Sequence, residues 1–165
     1  MSEDGAPPQT RTAVPGDVQA LSELYGECIS ELAGMRGGPV LMGSGRGSTS
    51  EAVRVSFELQ LGGPGSMVVV ALAAGRQGAV GYASCREYSL DDGTGIVALG
   101  ELYVLPAYRR QGRGRALARA VVDWGAQRGC TGVDGSALPG NRAVKSFFES
   151  EGFTARLLVM HRRID

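Results

Sequence analysis

The chain has 165 residues, 43% hydrophobic and 21% charged, with 17 basic and 17 acidic side chains in balance. That length supports one well-buried domain and is too short for two ordinary ones, and a net charge of zero disfavours a general nucleic-acid binder, which carries a basic excess. Cys28, Cys85 and Cys130 are odd in number, far apart and without C-x-x-C or zinc spacing, so neither a disulfide scaffold nor a metal site is expected, and a reducing compartment is.

In chain order, residues 1–9 are polar, carry Pro7-Pro8 and lack the apolar core of a signal peptide, which predicts a disordered tail ahead of a single domain at 10–165. A first strand is expected at 10–14. Asp17 is placed to cap a helix whose apolar residues Val18, Leu21, Leu24, Tyr25, Cys28 and Leu32 keep a step of three or four. The glycine-rich stretch 34–47 reads as a mobile loop, in which the Gly/Ser-rich part 43–48 is a flexible connection. Ser48-Thr49-Ser50-Glu51 then supplies a capping box for a helix over 51–61, ended by Gly62-Gly63-Pro64-Gly65. The period changes next. Runs at 67–73 and 79–87, separated by Ala74-Gly75-Arg76-Gln77-Gly78, predict a hairpin, and 96–104 continues an antiparallel meander. The longest apolar run, 67–74, is under half of what spans a bilayer, so no membrane partner is expected and the location is expected to be cytoplasmic.

Leu117, Val121 and Trp124 mark the buried stripe of a helix over 112–128, with Gly129 as its stop. A strand at 130–137, a helix at 141–150 and a last strand at 154–164 complete the chain. The edge of that last strand offers pairing to a second copy, hence a homodimer.

The segment between 102 and 115 carries the most chemistry. Leu102-Tyr103-Val104-Leu105 is closed by Pro106 and followed by Tyr108-Arg109-Arg110-Gln111-Gly112-Arg113-Gly114-Arg115. Proline ends the ladder, and Gly112 and Gly114 let main-chain amides approach a ligand with no Cβ between. The first turn of the following helix has free N–H groups and the positive end of the dipole, and Arg109, Arg110, Arg113, Arg115 and Arg119 crowd the same place, so a phosphorylated ligand is expected. A Walker loop is excluded because the only lysine, Lys145, lies far from the glycines. A dinucleotide fingerprint lacks its third glycine, which falls on Leu117, although Asp134 stands where a ribose-binding acid is sought.

Arg109-x-x-Gly112-x-Gly114 after Val104-Leu105-Pro106 resembles the signature of the GNAT superfamily of acyl-CoA-dependent N-acyltransferases. Asn141-Arg142-Ala143-Val144-Lys145-Ser146-Phe147-Phe148-Glu149-Ser150-Glu151-Gly152-Phe153 is similar to a second motif of that family. The resemblance covers about residues 10–164 and is sharpest from Leu99 to Phe153. It implies an α/β (α+β) fold: a mixed, largely antiparallel six- to seven-stranded sheet with helices on both faces and a central splay between two parallel strands. It also implies acetyl-CoA as co-substrate. The pyrophosphate would rest on Arg109, Arg110, Gln111, Gly112, Arg113, Gly114 and Arg115, the pantetheine arm would pair with the main chain of Tyr103 and Val104, and Asn141, Val144, Phe147 and Phe148 would border it. The family tyrosine that serves as general acid is replaced by Phe148, which has no hydroxyl.

The implied reaction is direct attack of a primary amine, on a small molecule or a peptide, through a ternary complex. A lysine-like amine is protonated near neutral pH, so a carboxylate must accept its proton, directly or through water. Glu101, three residues before Val104 on the same strand, is the candidate base; a solvent-facing strand end or a salt bridge with a nearby arginine is its alternative role. Tyr103 and Tyr108 are the nearest hydroxyls for the leaving thiolate. His161 reads as an edge residue and Asn141 also as a plain helix cap. Three functions remain open: an N-acetyltransferase, a non-catalytic acyl-CoA binding module and a dinucleotide-binding protein.

Overall fold

The computed structural model describes residues 8–39, 45–162 and 164. The elements run β1 (Thr10–Thr12), α1 (Val18–Ala33), α2 (Ser50–Gly62), β2 (Ser66–Ala71), β3 (Gly81–Ser89), β4 (Gly95–Val104), α3 (Arg113–Gln127), β5 (Gly132–Gly135) and α4 (Arg142–Ser150). The strands form one sheet in the order β1-β2-β3-β4-β5. Neighbours from β1 to β4 are antiparallel, and β4 and β5, joined through α3, are parallel.

The alternation of a strand sends successive side chains to opposite faces, and that splits the core into two layers. Val68, Val70, Tyr82 and Tyr103 meet Leu21, Leu24, Tyr25 and Phe57 of α1 and α2. Val69, Ala71, Ala83, Cys85, Val97 and Leu99 meet Leu117 and Val121 of α3 on the other side. Helix α3 lies close on the sheet because residue 125 is glycine: a Cβ there would come 2.7 Å from Val97 Cγ2. Where β3 pairs with β4 the register shifts, Ser84 facing Glu101 and Cys85 facing Leu99, so Gly100 is an extra residue. Such a bulge bends the strand and re-aims the side chain that follows, here Glu101.

Five strands form among the described residues, fewer than the six or seven expected. The missing one is the last: residues 154–162 form no ladder, and Leu157, Leu158, Val159 and Met160 are 78–83% exposed. An apolar run becomes a strand only when an edge receives it, and here Arg156 is held instead on Asp134 by an ion pair of 2.7 Å. The expected tail at 1–9 lies mostly outside the described residues; Gln9 O accepts from Leu72 N at 2.9 Å. The expected loop at 34–47 lies partly outside them.

Asp17 does not cap α1. Its carboxylate accepts from Val14 N at 2.8 Å and from both terminal nitrogens of Arg11 at 2.6 and 2.9 Å, closing the turn before the helix. Thr49 does cap α2, its Oγ1 accepting from Ala52 N at 3.2 Å, while Glu51 pairs with Arg54. The Arg11 hydrogen bond, above all, holds the Asp17 carboxyl below its ordinary range. A lowered carboxyl pKa stabilises the fold above the unfolded value, near 3.8, and that contribution is lost as pH falls through the folded value. Asp17→Asn should therefore cost about 1–2 kcal/mol at pH 7, with the difference from the parent shrinking in urea titrations repeated at pH 3.

Candidate functional site

Strand β4 ends at Val104 and the chain turns through a 3-10 segment at Pro106–Tyr108. Arg110, at φ 58°, is the one described non-glycine residue with positive φ, and Gly112 follows at φ 77° as the residue preceding α3. The first main-chain bond of the helix runs from Ala116 N to Gly112 O at 2.9 Å. The N–H groups from Gln111 to Arg115 thus have no acceptor within the described protein, the condition that makes a helix start an anion site.

The arginines are less free than their clustering in sequence implies. Arg109 donates to Glu31 at 3.0 and 2.6 Å and, through Nε, to Val104 O at 2.7 Å. Arg115 pairs with Glu151 at 2.7 Å, and Arg113 donates to Leu72 O at 3.3 Å and to the Gln111 amide oxygen. Arg110 and Arg119 have no ion pair among the described residues.

Beside this loop the sheet opens. β5 pairs with β4 only from Ile96 to Leu99, so residues 100–104 of β4 have a free edge on that side. Leu105 N donates to Val80 O at 2.9 Å, and the alternation of an antiparallel ladder turns the N–H of Val104 the other way, toward the free edge. Helix α4 closes the far side. Asn141 Oδ1 caps it, accepting from Val144 N at 3.2 Å. Phe147 stands where a Cβ at Gly114 would come 3.4 Å from its ring, and Phe148 covers Gly135, leaving 2.8 Å for a Cβ there. Phe148 also packs on Phe153, ring centroids 4.9 Å apart, and these contacts seat α4 on β5.

Glu101 and Tyr103 project to the α1/α2 face. The Glu101 carboxylate accepts from Ser84 Oγ at 2.8 Å and from Arg46, with Nε 3.0 Å from both oxygens and Nη2 2.9 Å from Oε2. The salt-bridge role is therefore realised, and its partner is an arginine 55 positions away. Arg46 also donates to Ser56 Oγ at 3.1 Å and to the Gln60 amide oxygen, and its guanidinium lies 3.8 Å from the centroid of Phe57. The Tyr103 hydroxyl donates to Glu31 at 3.3 Å; burial first, then the Glu31 charge, push its pKa to about 12. Tyr108 is set apart in the α3 layer, its ring flanked by Arg76 and Arg113 at 5.4 and 5.5 Å. His161 is exposed, and Asp134, the ribose-acid candidate, is taken by Tyr88 and Arg156 at 2.7 Å each. Among the described residues no group of three or more His, Cys, Asp or Glu side chains is placed to hold a metal, and no helix is long and apolar enough to cross a membrane.

The sequence reading assigned no role to Arg46, Glu31, Ser84 or Phe57. The only local signal was Arg46 itself, a single cation between Gly45 and Gly47.

Comparison with known proteins brings three findings. The model of the Acetyltransferase (GNAT) family matches residues 42–153. An aminoglycoside N(6')-acetyltransferase type 1 of Klebsiella aerogenes is 39% identical over 90 residues, 53% of this chain and 59% of that protein; one from Salmonella typhimurium is 30% identical over 74 residues, 44% and 51% of the two chains. The chain thus spans between half and three fifths of the length of these curated relatives. A solved aminoglycoside N-acetyltransferase in complex with CoA superposes with a TM-score of 0.76 at 20% identity, covering 99% of both chains, a likeness of fold.

Proposed function

Since the chain belongs to the acetyltransferase (GNAT) family, we propose that it is an N-acetyltransferase moving an acetyl group from acetyl-CoA to a primary amine by direct attack in a ternary complex. One observation carries the reading: the free edge of β4, with the Val104 N–H turned into it, lies beside the unpartnered amides of Gln111 to Arg115. A diphosphate on those amides leaves an acyl-pantetheine arm to lie along β4 as an added strand. The Val104 N–H then polarises the thioester carbonyl, and a preorganised donor of this kind is worth about 3 kcal/mol of barrier. Glu101 accepts the ammonium proton. Three residues of strand, about 10 Å, separate it from Val104, so the proton passes through water. Tyr103, kept protonated by its raised pKa, is the hydroxyl we assign to the thiolate; a thiolate also leaves without help.

The thiols support direct attack. Burial pushes Cys28 to about 12 and Cys85 to about 11, so both are protonated at neutral pH and poor nucleophiles. Intact mass spectrometry after incubation with acetyl-CoA alone should show no acetyl adduct on either cysteine; an adduct on one of them overturns the direct mechanism.

The acceptor class is a small-molecule amine, as the names of the curated relatives point to aminoglycosides for those proteins. Titration calorimetry with CoA and acetyl-CoA, followed by thiol release over a panel of amines, tests the reading. Heat with no release on any amine leaves a non-catalytic acyl-CoA binder, and no heat removes the function altogether. We propose in addition a homodimer, in which the exposed run Leu157-Leu158-Val159-Met160 adds to a sheet edge of a second copy. Sedimentation of the full chain should give twice the monomer mass, and removal of residues 155–165 should return the monomer.

A further inference from the structure

The site around Glu101 is built to hold a cation, and a side chain of the protein already holds that place. Four groups converge on one guanidinium: the Glu101 carboxylate, the Ser56 hydroxyl, the Gln60 amide oxygen and the face of Phe57. Each is an acceptor or an aromatic face, so together they match the donors and charge of an ammonium or guanidinium group. The surroundings are enclosed: the Arg46 side chain is 9% exposed and that of Glu101 19%. The Tyr82 hydroxyl, fully buried, finds no hydrogen-bond partner among the described residues, and its ring packs on Phe57 at 5.8 Å. Burial first, then the Glu101 charge, hold that hydroxyl protonated, and a buried donor left unpaired is costly unless a ligand uses it.

The way Arg46 arrives is equally specific. It lies on neither a helix nor a strand, stands between Gly45 and Gly47 with the latter at φ 110°, and its main chain is tied to the body by Arg46 N donating to the Tyr25 hydroxyl at 3.0 Å. Withdrawing it breaks no ladder and no helical bond. The side-chain contacts it gives up are ones that an incoming cation remakes.

We infer that the pocket of Glu101, Ser56, Phe57 and Gln60 is the receptor for the cationic amine of the acceptor, and that Arg46 is its internal occupant, displaced when the acceptor binds. The inference rests on the proposed acetyl transfer for its purpose but not for its test, because cation binding is read without acetyl-CoA. A neutral or anionic acceptor has nothing to offer Glu101 and leaves Arg46 in place, so the site selects compounds that are protonated in solution. The ammonium takes the position of the guanidinium and hydrogen-bonds to the Glu101 carboxylate, while Arg46 turns to solvent.

The test is binding of propylguanidinium and of propylammonium to the protein alone, followed by calorimetry and by NMR chemical shifts of residues near Glu101. Arg46→Ala should bind propylguanidinium at least tenfold more tightly than the parent, and the gain should vanish in Arg46→Ala combined with Glu101→Gln. In the acetylation assay, KM for a cationic amine should fall in Arg46→Ala, whereas KM for a weakly basic, uncharged amine should not. Should Arg46→Ala fail to fold, Arg46→Gln, which keeps one hydrogen-bonding end without the charge, is put through the same titration. A folded variant with no gain in cation binding overturns the inference, as does loss of folding in both, since Arg46 is then a structural member of the core. Either result leaves thiol release by the parent intact, so failure here is distinct from failure of the proposed activity.

Discussion

Glu101→Gln should lower kcat/KM for amine acetylation by about 10²–10⁴-fold, the range for loss of a positioned general base and equivalent to about 3–5 kcal/mol of barrier. The amide keeps the shape of the side chain and the hydrogen bond with Ser84, and carbonyl polarisation by Val104 survives and leaves residual turnover. What is lost is the proton acceptor. An alkylamine with a pKa near 10 is almost wholly protonated at pH 7, and without a base only its free fraction reacts, which grows about tenfold per pH unit. The gap between the two proteins should therefore narrow steadily as the assay moves from pH 7 to pH 9. Loss of the charge opposite Arg46, whose side chain is 9% exposed, should also cost about 3 kcal/mol of stability, measurable in urea and separable from the kinetic loss by assaying below the transition. An unchanged rate and pH profile would show that Glu101 serves only as the counter-ion of Arg46.

Some parts of this fold are written locally and others are not. Helix α3 falls within one residue of the bounds read from Leu117, Val121 and Gly129, because amphipathic period and stop signal lie inside the element itself. Strands β2, β3 and β4 were likewise visible as apolar runs between turn residues. The parallel pairing of β4 with β5 followed from the family resemblance. The last strand failed for a non-local reason: Leu157 to Met160 has a strand-like composition, but whether it forms a ladder depends on which edge lies within reach. Asp17 shows the same thing on a smaller scale, since its position suited a helix cap while Arg11, six residues earlier, claimed the carboxylate.

The candidate site divides along the same line. The glycine loop was legible because amides, glycines and strand end are contiguous. The partners of the clustered arginines were not legible, because Arg109 and Arg115 find acids at Glu31 and Glu151, 78 and 36 positions away. Glu101 was visible as an acid within a strand, but its orientation depends on the bulge at Gly100 and its partner on a glycine-flanked arginine with no periodic signal. Sequence spacing therefore exposes a site made from backbone more readily than one made from ion pairs.

Gly114→Asp should weaken CoA binding by about 100-fold or more while leaving the fold intact. Residue 114 lies in the first turn of α3, where an acidic side chain is favoured by the dipole, and its added Cβ meets the Phe147 ring at 3.4 Å and Leu102 Cδ2 at 4.0 Å, ordinary contact distances. The thermal midpoint should shift by only a few degrees. The carboxylate, however, enters the groove between α3 and α4 and competes with a diphosphate for the same N–H groups. A unit charge about 5 Å from a phosphate at an effective dielectric near 20 repels it by about 3 kcal/mol, which is two orders of magnitude in Kd. The penalty should shrink with added salt, because the groove is open to solvent. Gly114→Ala separates volume from charge: it adds the same Cβ with no carboxylate and should change Kd by less than about tenfold. Titration calorimetry of the three proteins at two ionic strengths decides the matter, and equal affinity of Gly114→Asp and the parent would remove the diphosphate from the start of α3, and with it the alignment of the acyl group on the free edge of β4.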